Sequence, residues 1–353
     1  MSFPINIPAV AICYCGSIKH HLVLTVAKVP IETFLCHCAS CRYWSGALCT
    51  NYLIIKDKPN DLGGFVMYST SVESTRYFCS RCGAHVYAWH KPSDTWGVAP
   101  GVLQQLKEEI VVTRHKWLDD TGDGGLAAWL SGMEGISVER FHTNVGGDVL
   151  TDQCWETLVT PSEAPEPIQQ QLEAKCHCGG VKFHITRPHD AATDLTSFSP
   201  PDFLGHETTS SSSSSSVAQG NWWLRQFNTR YLAGFCACTS CCSANGFEIQ
   251  PWAYIPKSNI VISGGASLTT AFGALRTVSR GQGVQRGFCT TCGASVFKAV
   301  EDQRIIAISV GLLRATNSRA EDWLEWETGR IGFQEMATNA NLTNSLRSGL
   351  PRK

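Results

Sequence analysis

The residues best suited to chemistry in this 353-residue chain are its cysteines, which form three types of cluster. A C-x-C-G pair comes first, a C-x-C-x-x-C triplet follows, and an F-C-x-x-C-G pair completes the series. The series occurs twice in the same order and uses fourteen of the seventeen cysteines. These are Cys13, Cys15, Cys36, Cys38, Cys41, Cys79 and Cys82, and then Cys176, Cys178, Cys236, Cys238, Cys241, Cys289 and Cys292. Such repetition predicts a duplicated metal-binding domain.

The cellular location of these thiols bears on what they can do. Residues 1–10 contain neither the basic nor the apolar segment of a secretory signal. No stretch approaches eighteen apolar residues, so no transmembrane helix is predicted. We therefore expect a cytoplasmic, reducing location, where clustered cysteines bind metals more often than they form disulfides. Disulfide pairing is the alternative interpretation of the same clusters.

The seven clustered thiols of each copy divide into four and three. A structural zinc ion takes four ligands in a tetrahedron, whereas a catalytic zinc ion takes three and keeps one position open. The two pairs therefore predict a four-cysteine cluster, and the triplet predicts a three-cysteine cluster with an open position. We expect up to two Zn2+ ions per domain. The four-cysteine clusters are Cys13, Cys15, Cys79 and Cys82, and Cys176, Cys178, Cys289 and Cys292; the three-cysteine clusters are Cys36, Cys38 and Cys41, and Cys236, Cys238 and Cys241.

The segments around the clusters indicate β-structure. Leu22, Leu24 and Val26 alternate with other residues, which is the period of a strand. The C-x-x-C pairs are expected in turns between strands, where the following glycine permits a tight backbone. We expect the C-x-C-x-x-C segments to be extended, so that His37 points away from the metal. The predicted fold class is all-β, in two tandem copies of a small zinc domain.

Changes in composition mark the boundaries of the two copies. We place the first copy at residues 1–150 and the second at 174–353. Between them, residues 151–173 combine three prolines with Glu, Ser and Gln, which is typical of a linker. The second copy carries an insert at about 189–221 with an unbroken serine run. This insert has too little apolar surface to fold and is predicted to be a disordered surface loop.

The order of the three clusters resembles that of the glutathione-dependent formaldehyde-activating enzyme and centromere protein V family. The tandem arrangement, with Arg114-His115 followed by a glycine-rich segment at 120–126, resembles duplicated members common in fungi. The resemblance implies an irregular, sandwich-like fold of two β-sheets around zinc, and a carbon–sulfur lyase that joins formaldehyde to the thiol of glutathione. It also implies that Cys13, Cys15, Cys79 and Cys82 hold a structural zinc ion, and that Cys36, Cys38 and Cys41 hold the reactive one.

Two further side chains are candidates for the reaction. Arg42 can orient an anionic substrate, and the alternative is a surface arginine on a strand. His115 lies where the resembled family often has a histidine, and its role is either acid–base chemistry or a structural one at a sheet edge. The second copy has Ala237 in place of His37 and Cys242 in place of Arg42, so it is the less certain catalyst. We interpret Cys242 as a spare thiol outside the cluster.

The leading functional hypothesis is a zinc-dependent carbon–sulfur lyase that acts on a thiol adduct, such as one of glutathione, of an aldehyde or other carbonyl compound. The alternative is a non-catalytic zinc-binding interaction module, which predicts that every zinc site is closed and that no pocket lies beside Cys36 to Cys41. The net charge of −1 and the absence of a basic run disfavour nucleic acid and anionic membranes as partners. The same balance disfavours chromatin association by analogy with centromere protein V.

Overall fold

The fold is mostly β-structure, as predicted. The computed structural model describes residues 4–104, 109–144, 146–160, 169–189, 221–264, 268, 272–281, 283–300 and 303–352. The predicted serine-rich insert lies outside the described residues, apart from its two ends. Within the described part, no helix has the length and apolar character needed to cross a membrane.

The first copy is built from a hairpin, two larger sheets and a short two-stranded pair formed by residues 132–133 and 136–137. The hairpin pairs β1 (Ile5–Ile12) with β2 (Lys19–Val26) in antiparallel fashion. Further elements are β3 (Ile31–Cys36), helix α1 (Ala39–Ser45), β4 (Leu53–Ile54), β5 (Phe65–Ser69), β6 (Ser74–Cys79), β7 (His85–His90), β8 (Thr95–Val98), β9 (Ile110–Lys116), β10 (Gly132–Met133), β11 (Ile136–Ser137) and β12 (Glu139–Arg140). One sheet has the strand order β4-β8-β7-β6-β5, and the other has the order β12-β9-β3 with parallel pairs.

The paired cysteines lie in tight turns between strands, as the sequence predicts. Cys13 and Cys15 lie in the turn that joins β1 to β2, while Cys79 and Cys82 lie at the turn between β6 and β7. Gly16 and Gly83 follow these pairs with φ of 75° and 74°, a region that residues with a Cβ rarely adopt. The glycines therefore allow the backbone to curl so that both thiols of each pair face one point.

The segment predicted as a linker contains regular structure at both ends. Helix α2 spans Asp152–Val159, and its Thr151 cap accepts a hydrogen bond from the N–H of Cys154. The next strand, β13, spans Gln171–Lys175 and already belongs to the second copy. The prolines on which the linker prediction rests lie at 161–167, outside the described residues. The ordered part of the connection is thus longer than its composition suggested.

The second copy repeats the plan of the first. Its elements are β14 (Lys182–Thr186), β15 (Leu224–Arg225), β16 (Arg230–Cys236), helix α3 (Thr239–Asn245), β17 (Gln250–Pro256), β18 (Ile260–Val261), β19 (Leu275–Ser279), β20 (Val284–Cys289), β21 (Ser295–Val300), β22 (Ile305–Ser309), β23 (Leu324–Trp326) and helix α4 (Ala340–Gly349). The main sheet has the order β15-β16-β17-β22-β21-β20-β19, with β23 parallel to β16 as β9 is parallel to β3. A smaller sheet has the order β13-β14-β18.

Each three-cysteine segment turns from a strand into a short helix, so the expectation of an extended segment is wrong. Cys36 ends β3, and Cys38 caps α1 by accepting a hydrogen bond from the N–H of Cys41 to its Sγ at 3.3 Å. Cys238 caps α3 in the same way. Gly46 ends α1 with a φ of 82°. Because cysteine is not a common N-cap residue, no helix start is recognisable in the sequence here.

The two copies pack against each other through the ends of α1 and α3. The N–H of Gly311 donates to the carbonyl of Gly46 at 3.0 Å, and the N–H of Gly101 donates to the carbonyl of Gly246 at 2.9 Å. The contact is reciprocal: Gly46 and Gly246 are equivalent positions in the two copies, and so are Gly101 and Gly311. Trp44, near the C-terminal end of α1, belongs to a hydrophobic core that is otherwise formed largely by the second copy. Both three-cysteine segments therefore lie at the boundary between the copies.

The close approach of the copies at Gly46 predicts a large penalty for a side chain there. A Cβ on Gly46 would lie 2.4 Å from the carbonyl oxygen of Ser295, whereas one on Gly64 would meet nothing within 4 Å. Both glycines have a φ of 82°, so alanine strains the backbone equally at the two positions. We expect Gly46→Ala to lower the free energy of unfolding by about 1–3 kcal/mol more than Gly64→Ala, measured by urea denaturation. Equal losses would show that the copies do not meet as described.

Candidate metal centres

The structure brings together the four thiols that the sequence assigns to each four-cysteine cluster. In the first copy, the Sγ atoms of Cys13 and Cys15 are 3.6 Å apart, and those of Cys15 and Cys79 are 3.8 Å apart. The Sγ atoms of each cluster all lie within 4.8 Å of one another. Residues 64 apart in sequence thus converge, because the β1–β2 turn and the β6–β7 turn face each other.

The spacing of these thiols fits a tetrahedral zinc ion. Zn–S bonds of about 2.3 Å at tetrahedral angles place sulfur atoms about 3.8 Å apart. In the second copy, Cys178 lies 3.5 Å from both Cys176 and Cys289, measured between Sγ atoms. These Sγ–Sγ distances lie close to the tetrahedral value in both copies, and no disulfide is formed, since all seventeen cysteines are free thiols. These clusters are therefore able to hold a metal ion.

The three-cysteine clusters have the same compactness but one ligand fewer. Their Sγ atoms also lie within 4.8 Å of one another, with 3.6 Å between Cys36 and Cys38. Within the described part of the chain, no fourth His, Cys, Asp or Glu ligand atom joins either group. Cys36 and Cys41 are buried, whereas Cys38 is only partly buried. Cys38 is therefore the most exposed thiol of this cluster.

An arginine that the sequence analysis missed lies beside each three-cysteine cluster. A terminal nitrogen of Arg76 is 4.0 Å from the Sγ of Cys41, and one of Arg286 is 3.3 Å from the Sγ of Cys241. The Arg76 guanidinium lies between two aromatic rings, about 5 Å from the centroid of each. The signal was present, because both copies have arginine three residues before the C-x-x-C pair. Its proximity to the triplet is visible only in the folded chain.

The electrostatics of each cluster concentrate negative charge on its third cysteine. Hydrogen bonds from Cys36 and Cys38 outweigh burial, and with the positive charge of Arg76 they hold the pKa of Cys41 well below its ordinary value. The pKa of Cys36 is raised well above its ordinary value, because this thiol donates to its neighbours and is buried. A cluster that shares one thiolate among three sulfur atoms is suited to receive a cation, which allows the remaining thiols to lose their protons.

His37 and His115 form a buried pair behind the first three-cysteine cluster. His115 Nε2 lies 2.8 Å from the carbonyl of Leu130, which only accepts, so this nitrogen carries the proton. Its Nδ1 then accepts a hydrogen bond from His37 Nε2 at 2.9 Å. Burial lowers the pKa of His115 to about 4 and that of His37 well below its ordinary value, so both rings are neutral. His37 is thus outside the ligand group, as expected, but it is not on the surface.

This geometry corrects the predicted roles of His115. Both of its ring nitrogens are engaged within the fold, and its side chain is fully buried, so direct contact with substrate is at odds with the structure. It also lies on the central strand of its sheet and not at an edge. In the second copy, Ala237 replaces His37, and the backbone register places Ile331 where the first copy has His115. The histidine pair is therefore a feature of the first copy alone.

Arg42 is buried on α1, so the alternative of a surface arginine on a strand is wrong. Its Nε donates to the carbonyl of His37 at 3.2 Å, and a terminal nitrogen donates to the carbonyl of Asp120 at 2.8 Å. The first bond fixes the loop before α1, and the second ties α1 to the segment that contains Asp120. The Sγ of Cys242, at the corresponding position, lies 3.5 Å from the carbonyl of Ala237 and outside the thiol cluster, as predicted. The two residues thus support the same loop position with different chemistry.

Comparison with known proteins matches both copies. The family described as glutathione-dependent formaldehyde-activating enzyme matches residues 9–120 and 226–327, together more than half of the chain. No curated protein matched the chain. The second match begins after Cys176 and Cys178, yet the structure places both thiols beside Cys289. Because the family match covers both copies and more than half of the chain, the chain belongs to the glutathione-dependent formaldehyde-activating enzyme family and contains the family domain twice.

Proposed function

We propose that the first copy is a zinc-dependent enzyme of the carbon–sulfur lyase type. It joins the thiol of glutathione, or a similar small thiol, to formaldehyde or a related small aldehyde, and it also catalyses the reverse reaction. The observation that carries the proposal is the cluster of Cys36, Cys38 and Cys41, which offers three converging thiols, of which Cys38 is the most exposed. The family match supports the choice of thiol and aldehyde.

The three thiols fit zinc in number, spacing and softness. A zinc ion held by three cysteines keeps one position open and lowers the pKa of a thiol that enters it. Arg76 lies beside Cys41 and offsets the negative charge that three deprotonated cysteines accumulate. The equivalent site of the second copy and the two four-cysteine clusters give four proposed zinc sites per chain.

The reaction forms one carbon–sulfur bond. The thiol sulfur attacks the carbonyl carbon, the carbon–oxygen double bond becomes a single bond, and the thiol proton ends on the oxygen as a hydroxyl. The protein holds the sulfur near the aldehyde, which converts a two-molecule encounter into a reaction within one site. Trp44 lies fully buried behind the cluster, where its ring contacts His85 at 3.9 Å between centroids. This rigid aromatic support keeps the α1 cysteines in place.

The first copy is the better candidate for catalysis because it alone has the histidine pair and Arg42. His115 bonds to the ring of His37, and Arg42 bonds to its carbonyl, so together they fix the backbone between Cys36 and Cys38. All three side chains are buried. We propose that His115 and Arg42 position the cluster and do not touch the substrate. The second copy retains Arg286 next to Cys241 and can hold a metal ion with a supporting role.

The proposal is tested by zinc content and turnover in matched cysteine variants. We expect close to four zinc ions per chain in the unmodified protein, in line with its four thiol clusters. Both Cys38→Ser and Cys238→Ser should lose one, but only Cys38→Ser should abolish formation of the thiol–formaldehyde adduct, followed by NMR exchange of labelled formaldehyde. Cys154→Ser, which changes an exposed cysteine on α2, should alter neither quantity.

A content of two zinc ions per chain, which neither Cys38→Ser nor added glutathione changes, would mean that only the four-cysteine clusters bind zinc. That result would favour the non-catalytic zinc module. Loss of turnover in Cys238→Ser with retention in Cys38→Ser would assign the reaction to the second copy instead. Either result contradicts the proposal as stated.

A further inference from the structure

The four-cysteine cluster of the second copy borders the three-cysteine cluster of the first. His177 stands between two ligands of the former, Cys176 and Cys178, and Ser40 stands between two ligands of the latter, Cys38 and Cys41. The Oγ of Ser40 lies 2.9 Å from His177 Nε2. One side chain therefore connects two clusters that belong to different copies and are 137 residues apart in sequence.

The connection is held by several bonds. The hydroxyl of Tyr68 lies 2.7 Å from His177 Nδ1, so both ring nitrogens have partners from the first copy. Because each hydroxyl both donates and accepts, the neutral ring is satisfied in either tautomer. The backbone N–H of His177 also donates to the carbonyl of Tyr43 on α1 at 3.0 Å. The loop that carries Cys176 and Cys178 thus contacts α1 at two points and β5 at a third.

The opposite junction of the two copies is built differently. Tyr14 takes the place of His177, between Cys13 and Cys15. Its ring lies 5.2 Å below the guanidinium of Arg286, the residue beside Cys241. Ser240, the counterpart of Ser40, is exposed. The hydrogen-bonded bridge through a histidine therefore exists at the first three-cysteine cluster, and Ser240 provides a matched control position.

We propose that His177 is a positioning residue through which a metal ion in the second copy's four-cysteine cluster strengthens metal binding at Cys36, Cys38 and Cys41. The inference rests on the proposed function only in requiring that the latter cluster binds a metal. A metal at Cys176 and Cys178 fixes the loop, the fixed loop holds His177, and His177 holds Ser40 between Cys38 and Cys41. Coupling of this kind acts in both directions, so each site raises the affinity of the other by the same factor.

The test measures zinc affinity in the full chain by competition with a chromophoric chelator. Ser40→Ala removes one hydroxyl without altering any ligand, and we expect it to weaken one zinc site by about tenfold, as loss of a residue that orients a ligand does. Ser40→Thr keeps a hydroxyl and should restore the affinity. Ser240→Ala makes the same change at the same helix position of the other copy and should leave the affinities as they are.

A second measurement separates the bridge from a local effect on α1. Tyr68→Phe removes the other hydrogen bond to His177 and should also weaken the site. If both act through His177, Ser40→Ala combined with Tyr68→Phe should lose less than the product of the single effects. Ordinary affinity in Ser40→Ala, or equal losses in Ser40→Ala and Ser240→Ala, would overturn the inference alone. Failure of the unmodified chain to bind zinc at its three-cysteine clusters would overturn the proposed function as well.

Discussion

Replacing Cys292 by serine should remove the folded state of the second copy and not only one ligand. Cys292 belongs to the cluster that joins the β13–β14 turn to the β20–β21 turn, and it is fully buried. Structural zinc binding supplies about 10–16 kcal/mol of apparent free energy in small zinc domains. The total stability of a folded domain is only about 5–15 kcal/mol. Loss of a large part of the zinc-binding free energy therefore leaves the domain unfolded. Circular dichroism and zinc content of the purified variant measure the effect.

The matched control for this variant is Cys242→Ser in the same copy. Cys242 is equally buried but lies outside the thiol clusters, so it contributes packing and weak hydrogen-bond contacts to two backbone carbonyls. We expect this variant to keep all its zinc and to lose no more than about 1–2 kcal/mol. A Cys292→Ser protein with ordinary zinc content and thermal stability would show that the four-cysteine cluster is not a structural metal site.

The second large effect is expected at Asp123, which joins the two copies through a buried ion pair. One carboxylate oxygen accepts from the hydroxyl of Ser318 at 2.6 Å, and the other accepts from the backbone N–H of Arg319 at 2.7 Å. The Arg319 side chain lies 3.7 Å from the same carboxylate and is 7% exposed. Asp123→Ala leaves the Ser318 hydroxyl and the Arg319 N–H without their acceptor, at a combined cost of about 2–6 kcal/mol, while Arg319 keeps its ion pair with Glu321 at 2.8 Å. We expect Asp123→Ala to lose that amount in urea denaturation.

The control for Asp123→Ala is a solvent-exposed ion pair within the first copy. Glu139 lies 3.2 Å from Arg114, and its side chain is 57% exposed. Exposed pairs contribute about 0–1 kcal/mol, so Glu139→Ala should unfold at nearly the ordinary urea concentration. Comparable losses in the two variants would mean that Asp123 does not anchor the copies. A loss at Asp123 that leaves the second copy folded would mean that the copies unfold independently.

The contrast between these variants bears on why the chain carries its domain twice. Trp44 of α1 packs into the core of the second copy, while Ala244 of α3 packs against the core of the first. The ends of both helices meet the opposite copy through Gly46 and Gly246. The helix that follows each three-cysteine cluster is therefore supported by residues of the opposite copy. We expect a separately expressed first copy to bind zinc at its three-cysteine cluster more weakly than the full chain does.

The sequence by itself determined the repeated plan and the grouping of the thiols. Cysteines two or three residues apart, followed by glycine, can meet at one point only in a tight turn, so their partners follow from spacing and count. The strands beside these turns were also predictable, because the alternation of residues 19–28 is local information. The division of the seven thiols of each copy into four and three ligands could be predicted without knowing how distant segments approach one another.

The tertiary structure alone decided what surrounds the three-cysteine clusters. The side chains beside the first cluster are distant from it in sequence: Arg76, His115 and His177 are 35 to 137 residues away from the residues of segment 36–41 that they contact. No local pattern in the sequence predicts such contacts. The helical form of α1 was missed because Cys38 is an unusual cap and because Trp44 is stabilised by packing between the copies, not by helix propensity. Ligand sets follow from short spacings along the chain, whereas the environment that tunes a ligand follows from how the two copies pack.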